Sequence, residues 1–274
     1  MQRVDERIRD WNVVVQDTLE TETSFLAFGA RDNRPVVLKV VRRPGDEWRS
    51  GEVLRAFDAR AVARVYEYAE GAVLMERLNP GTQLVALTLE GRDEQATEII
   101  ADVIQRMSHP GSPSEGFVTV ADRGRGFERY LASGDDQIAR GLVEQGQELY
   151  FRLCSSQRGV RLLHGDLHHY NILFDIKRGW TAVDPKGVLG ELEYEVGASL
   201  RNPYEMPESF ASREAVLARL KLYESRLKLD RDRALGWGFA QAILSAIWAV
   251  EDGYAIDESN TSMMLAKVIR SLLW

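Results

Sequence analysis

Hydrophobic and polar positions change in short bursts over the first eighty residues and settle into a longer period afterwards. Residues 11–15, 24–30 and 35–41 are runs of β-branched, aromatic and small apolar residues of strand length. Asp32-Asn33-Arg34 between the last two is a turn signal. Residues 46–59 read as a helix with Val53, Leu54 and Phe57 on one side, and 62–68 and 72–76 read as two more strands. Asn79-Pro80-Gly81 is a turn. It is the expected boundary between a first lobe of residues 1–78 and a second of residues 79–274. Beyond it Ile99, Ile100, Val103, Ile104 and Met107 recur at helical spacing within 93–107, and a His-Pro-Gly-Ser-Pro loop at 109–113 ends that segment. Helices are expected again over 120–131, 138–154, 213–229, 234–250 and 259–273. One stretch interrupts them: apolar runs at 172–174 and 180–183 flank Lys177-Arg178-Gly179, the pattern of a β-hairpin. The expected fold class is α+β, with a small β-rich N-terminal lobe and a larger, mainly helical C-terminal lobe.

Composition narrows the function only a little. A chain of 274 residues, 45% hydrophobic and 28% charged, is an ordinary globular protein with room for a large core. Its 35 basic and 42 acidic residues leave a net charge of −7, which argues against a nucleic-acid partner and suits a cationic small substrate. The opening MQRVDERIRDW lacks the apolar core of a signal peptide. The longest apolar run, 239–250, is broken by Gln241 and Ser245 and is short for a bilayer. A cytoplasmic protein without membrane partners, monomeric or weakly dimeric, is expected. Cys154 stands alone, in a helical apolar pattern, as a small core residue.

The chemistry gathers in residues 162–187, LLHGDLHHYNILFDIKRGWTAVDPKG. A loop carries Asp166 and Asn171, and the returning strand of the hairpin delivers Asp184. A phosphotransferase that uses a magnesium nucleotide needs this set. Asp166 can accept a proton from an attacking hydroxyl, while Asn171 and Asp184 offer hard oxygen ligands for Mg²⁺. Lys39, inside an apolar run, is costly there unless its ammonium meets anions; the bland alternative is an edge-strand lysine pointing to water. His164, His168 and His169 beside two aspartates leave a zinc or iron metallohydrolase open as a second reading. Gly165 makes a ligand-bearing helix poor there, and His109 is the one other histidine.

The Asp-x-x-x-x-Asn spacing matches the kinase catalytic loop. The string His164-Gly165-Asp166-x-His168-x-x-Asn171 resembles the aminoglycoside phosphotransferase branch of the protein-kinase-like superfamily. Its continuation, Ala182-Val183-Asp184-Pro185-Lys186-Gly187 and then Gly190-Glu191-Leu192-Glu193-Tyr194-Glu195, is similar to the aminoglycoside/hydroxyurea resistance kinases. That resemblance implies a bilobal kinase-like fold using ATP and Mg²⁺, with Asp166 as the catalytic carboxylate. It implies Lys39 on the α- and β-phosphates, held by Glu52 in preference to Glu47. Residues 17–24 contain no glycine, so hydroxyls of Thr23 or Ser24 stand in for a glycine-rich phosphate loop. Met75 packs behind the adenine, and backbone groups of Glu76 and Leu78 meet its edge. Glu191, Glu193 and Glu195, sharing a face of an alternating segment, attract the guanidinium groups of a streptomycin-type acceptor. Hydroxyurea, or an amino-alcohol or sugar for a metabolic kinase, is the alternative acceptor. Lys186 suits either the γ-phosphate or Glu191. Gly165 stands where protein kinases carry a phosphate-sensing arginine, and the segment after Asp184 is short. Activity without activation-loop phosphorylation is therefore expected, on a substrate that is not a protein.

Overall fold

The computed structural model describes residues 2–108 and 115–274, so the loop expected at 109–113, with His109, lies outside the described residues. Its strands are β1 (Val14–Glu20), β2 (Ser24–Arg31), β3 (Arg34–Val41), β4 (Val65–Ala69), β5 (Ala72–Glu76), β6 (Pro80–Gln83), β7 (Arg161–Leu163), β8 (Ile172–Asp175), β9 (Gly179–Ala182) and β10 (Val188–Gly190). The chain divides into two compact units, and their bounds do not follow a single cut between 78 and 79. One contains residues 2–84, 103–108 and 171–187; the other contains 85–102, 115–170 and 188–274.

In the first unit a five-stranded sheet has the order β1-β2-β3-β5-β4. β3 is apolar but for Lys39 over its last six residues, because all six are buried. Val36, Leu38 and Val40 share a core with Ala27, Ala72 and Leu74. A helix over Gln2–Asp10, which the sequence reading does not anticipate, lays Val4 and Ile8 on the same core. Two apolar residues at i and i+4 suffice to orient it, but are a faint signal among seven polar ones. β1 starts later than expected and runs to Glu20, so the connection to β2 is reduced to residues 21–23. All seven β1 residues are exposed, so no burial alternation marks the strand. Pairing with β2, from Val14 opposite Ala30 to Glu20 opposite Phe25, holds it in place. Gly29 is required there, since a Cβ would lie 2.1 Å from the Val14 carbonyl oxygen.

The helix expected over 46–59 contracts to Ser50–Ala56. Residues 46–49 form a turn, and left-handed backbone at Asp58 and Ala59 (φ 51° and 55°) stops the helix. The expected β8–β9 hairpin forms, with Ile172 opposite Ala182 and Asp175 opposite Gly179, and β8 also pairs with β6. Asp175 holds the turn: its carboxylate accepts from the amides of Lys177, Arg178 and Asn79 at 2.8–2.9 Å. Ala182 is pinned on both sides, donating to Ala61 O at 2.7 Å and accepting from Ala63 N at 2.9 Å.

The second unit is helical. Val120–Ser133, Arg140–Ser155, Arg213–Leu227, Arg231–Glu251 and Thr261–Leu273 sit close to their expected positions. Thr119 opens the first with a reciprocal cap to Asp122, and Ser212, Asp230 and Asn260 cap three others. Arg231–Glu251 is apolar nearly all round because it is the core helix. It has the length and composition of a membrane span, but 72% of its most apolar window is buried inside the fold. Trp237 is fully buried, in edge contact with Tyr150 and Tyr194 at 5.1 Å. Burial pushes the Cys154 thiol up to about 12, which makes it inert as a nucleophile.

Candidate active site

The first unit holds a cleft of about 680 Å³ whose apolar wall includes Leu26, Phe28, Val37, Met75 and Leu173. Lys39, Asp184, Ser24, Glu76 and Leu78 also line it. The register of β3 sends the Lys39 side chain inward, where it is 7% exposed. Its Nζ lies 2.7 Å from Glu47 Oε2 and in contact with Asp184 Oδ1. Burial works against the ammonium, but the Asp184 and Glu47 carboxylates outweigh it and hold its pKa above the ordinary lysine value. A buried lysine between two anions is therefore charged, which settles the choice against a solvent-facing edge lysine.

The glutamate beside Lys39 is Glu47, and the expectation of Glu52 is corrected. Glu52 turns away to Arg49, with two contacts of 2.6 Å. The shortened helix explains this, since Glu47 lies in the turn before it and only that turn reaches Lys39. Ser24 is buried, and its hydroxyl donates to the same Glu47 oxygen at 3.2 Å, so it steadies the lysine's partner. Met75 is buried in β5, and Glu76 donates its N–H to Arg64 O at 3.0 Å. Asp184 follows β9 with φ 63°, a strained conformation for a residue with a Cβ. Its neighbour Val183 donates to Asn171 O at 2.9 Å, which ties the two proposed oxygen ligands through adjacent backbone. Gly187 has φ 68°, and a Cβ there would lie 2.3 Å from Val53.

In the second unit His164, Gly165 and Asp166 follow β7. Gly165 takes φ 80°, and its N–H donates to Glu195 Oε1 at 3.0 Å. The His164 N–H donates to the other oxygen at 2.7 Å. One buried carboxylate thus fastens the loop backbone that presents Asp166. The Asp166 side chain is 16% exposed, with Arg201 3.3 Å from Oδ1 and His168 Nε2 3.6 Å from Oδ2. Arg201 reaches on to Gln241 Oε1 at 3.4 Å, and Gln241 donates to Tyr194 O at 2.6 Å. Sequence reasoning misses Arg201, which lies 35 residues past Asp166 with no local signal connecting them.

The expectation that Glu191, Glu193 and Glu195 form a substrate-facing stripe is also corrected. Glu191 is fully buried; it accepts from Trp237 Nε1 at 2.6 Å and Arg158 N at 2.9 Å, and pairs with Arg233. Glu193 accepts from Asp230 N at 3.1 Å. Glu195 is 2% exposed and faces the loop described above. The segment is a short helix, Leu192–Glu195, so the alternation needed for one shared face does not exist.

Glu195 gives a pH prediction. Burial raises its pKa from 4.5 to about 7, against the pull of the Gly165 and His164 amides, and the nearby Asp166 charge adds to the rise. A raised acid binds its proton more tightly in the folded than in the unfolded chain. Its contribution to stability is thus complete below 4.5 and lost as pH climbs to about 7. The interval is worth roughly 3 kcal/mol. Thermal melts from pH 4.5 to 8 should show this decline in the parent protein and lose most of it in Glu195→Gln; equal slopes would refute the assignment.

The zinc reading finds little support. Among the described residues no three His, Cys, Asp or Glu side chains are grouped to hold a metal.

Comparison with known proteins places this architecture in a class. An aminoglycoside phosphotransferase solved with ADP and hygromycin B superposes with a TM-score of 0.70 at 17% identity, covering 97% of each chain. Choline kinase from Streptococcus pneumoniae gives 0.67 at 16%, covering 98% of each. The fold is the protein-kinase-like α+β fold of small-molecule phosphotransferases. The chain itself belongs to the aminoglycoside/hydroxyurea antibiotic resistance kinase family, which matches residues 11–253. Among its relatives are a streptomycin 3''-kinase of Klebsiella pneumoniae, 31% identical over 86% of this chain and 88% of that protein. A hydroxyurea phosphotransferase of Kitasatospora aureofaciens is 31% identical over 80% of this chain and 66% of that protein. This chain is accordingly a kinase of small-molecule hydroxyl groups.

Proposed function

We propose that the chain transfers the γ-phosphoryl group of ATP to a hydroxyl of a streptomycin-type aminoglycoside, with Mg²⁺ as cofactor. The observation that carries the reading is the charged Lys39, buried in an apolar-walled cleft between Glu47 and Asp184. Such a cleft suits a purine, and such a lysine suits its phosphates. The donor set fits magnesium. Asn171 and Asp184 offer an amide and a carboxylate oxygen, hard ligands that leave most positions to water and phosphate. When bound there, the ion supplies neutralisation of charge on the β- and γ-phosphates.

The chain's own groups do the rest. Lys39 fixes the α- and β-phosphates while Glu47, steadied by the Ser24 hydroxyl, fixes Lys39. The apolar wall around Met75 grips the base, and backbone groups of Glu76 and Leu78 meet its edge. Asp166 orients the acceptor hydroxyl and takes its proton late, because the transition state is loose and positioning dominates. Arg201, 3.3 Å from Oδ1, and His168, 3.6 Å from Oδ2, hold that carboxylate in its orientation.

Relatives of equal identity carry streptomycin and hydroxyurea in their names, so the acceptor decides between two readings. ADP release with ATP and Mg²⁺ should be measured against streptomycin, hydroxyurea and a panel of amino-alcohols. Acceptor-dependent release with streptomycin is the expected result. Release with hydroxyurea or an amino-alcohol alone would replace it with a metabolic role, and no acceptor-dependent release would defeat both.

A further inference from the structure

The buried state of Glu191 and Glu195 leaves the second unit without the acidic stripe expected to attract a cationic acceptor. A different set of side chains offers the right chemistry beside Asp166. Tyr204 is 62% exposed, yet its ring is stacked on Tyr170 with centroids 5.0 Å apart and planes 22° from parallel. The Tyr170 hydroxyl donates to Glu205 Oε2. Large aromatic rings exposed to water normally find a core to bury in, and a stacked pair open on one side is a ready face for a flat cation.

Two short chain paths tie this pair to Asp166. On one, His168 Nε2 stands 3.6 Å from Asp166 Oδ2 and its ring packs edge-on against Tyr170 at 5.6 Å. On the other, Arg201 reaches Asp166 Oδ1 at 3.3 Å, three residues before Tyr204. That second path is anchored. The buried Arg219 forms two hydrogen bonds with Asp93 and donates to Ser199 O and Asn202 O, both at 2.8 Å, bracketing Arg201. Asn202 Nδ2 donates to Ala198 O at 2.8 Å. Tyr204 is therefore presented by a clamped backbone.

We propose that Tyr170, Tyr204 and Glu205 form an acceptor subsite for a guanidinium group. The cation lies flat on the open face of Tyr204 while its N–H fork meets the Glu205 carboxylate. A guanidinium uses both features, since it stacks and donates in one plane; an ammonium uses only the charge. The tyrosine hydroxyl on Oε2 fixes the carboxylate beside the rings. The proposal rests on the kinase reading for its place in turnover, but not for its binding chemistry.

The test is calorimetric binding of streptomycin, which carries guanidinium groups, to the nucleotide-free protein and to Tyr204→Leu, Tyr204→Phe and Glu205→Gln. Tyr204→Leu and Glu205→Gln should each weaken binding about tenfold or more, whereas Tyr204→Phe, which keeps the aromatic face, should stay within about threefold of the parent. Methylguanidine should compete with streptomycin and hydroxyurea should not. These positions are exposed, and unchanged melting temperatures would show that the variants fold. No binding by the parent, or equal binding by parent and variants, overturns the subsite. Variant-sensitive binding without streptomycin-dependent ADP release would support the subsite and sink the kinase assignment for that acceptor.

Discussion

Glu191→Ala is expected to lose stability and leave acceptor affinity alone in the fraction that stays folded. Glu191 is 0% exposed and is the shared acceptor for Arg233, Trp237 Nε1 and the Arg158 amide. Removing it strands a guanidinium whose side chain is only 12% exposed, together with an indole N–H in the core. Breaking a buried pair in this way costs about 3–5 kcal/mol. For a chain of this size the melting temperature should fall by on the order of 10 °C. A surface carboxylate that binds substrate would behave in the opposite way, raising the acceptor KM at constant melting temperature. A melt within about 2 °C of the parent would return Glu191 to the substrate side.

Asp166→Ala should reduce kcat by on the order of 10²–10⁴-fold, the range for a positioned acid or base. Nucleotide affinity should change less than about twofold, because the variant leaves the cleft residues Lys39, Met75 and Asp184 untouched. The His164 and Gly165 amides keep their Glu195 anchor, so the loop backbone should hold its shape. Equilibrium ATP binding and single-turnover phosphorylation, measured on the same preparation, separate the two effects. Turnover within a few-fold of the parent would remove Asp166 from the chemistry. Loss of nucleotide binding as well would make its role structural.

The sequence was legible where chemistry is local. Asp166, Asn171 and Asp184 fall within nineteen residues of each other in one motif. Lys39 announces itself as a charge in an apolar strand, and the long helices repeat at their own period. What escaped it depends on distance or on exposure. Glu47 and Glu52 differ by little more than one helical turn, and choosing between them required knowing where the helix begins. The acidic run 191–195 reads as surface, because nothing local says that Arg233 and Trp237 arrive from the core helix to bury Glu191. Arg201 touches Asp166 only through tertiary folding, and the exposed β1 offers no alternation to read.

That same β1 also bears on how molecules of this protein meet. It is the outermost strand of its sheet, with all seven residues open to solvent, including Val14 and Leu19. A bare strand rim invites a neighbour's backbone to zip onto it. Here the pairing slips at a bulge between Val15 and Asp17, and the acidic Asp17 and Glu20 stand along the strand. A crooked, negatively charged border is a poor template for a second copy, so the strand itself discourages fibre-like stacking through this edge.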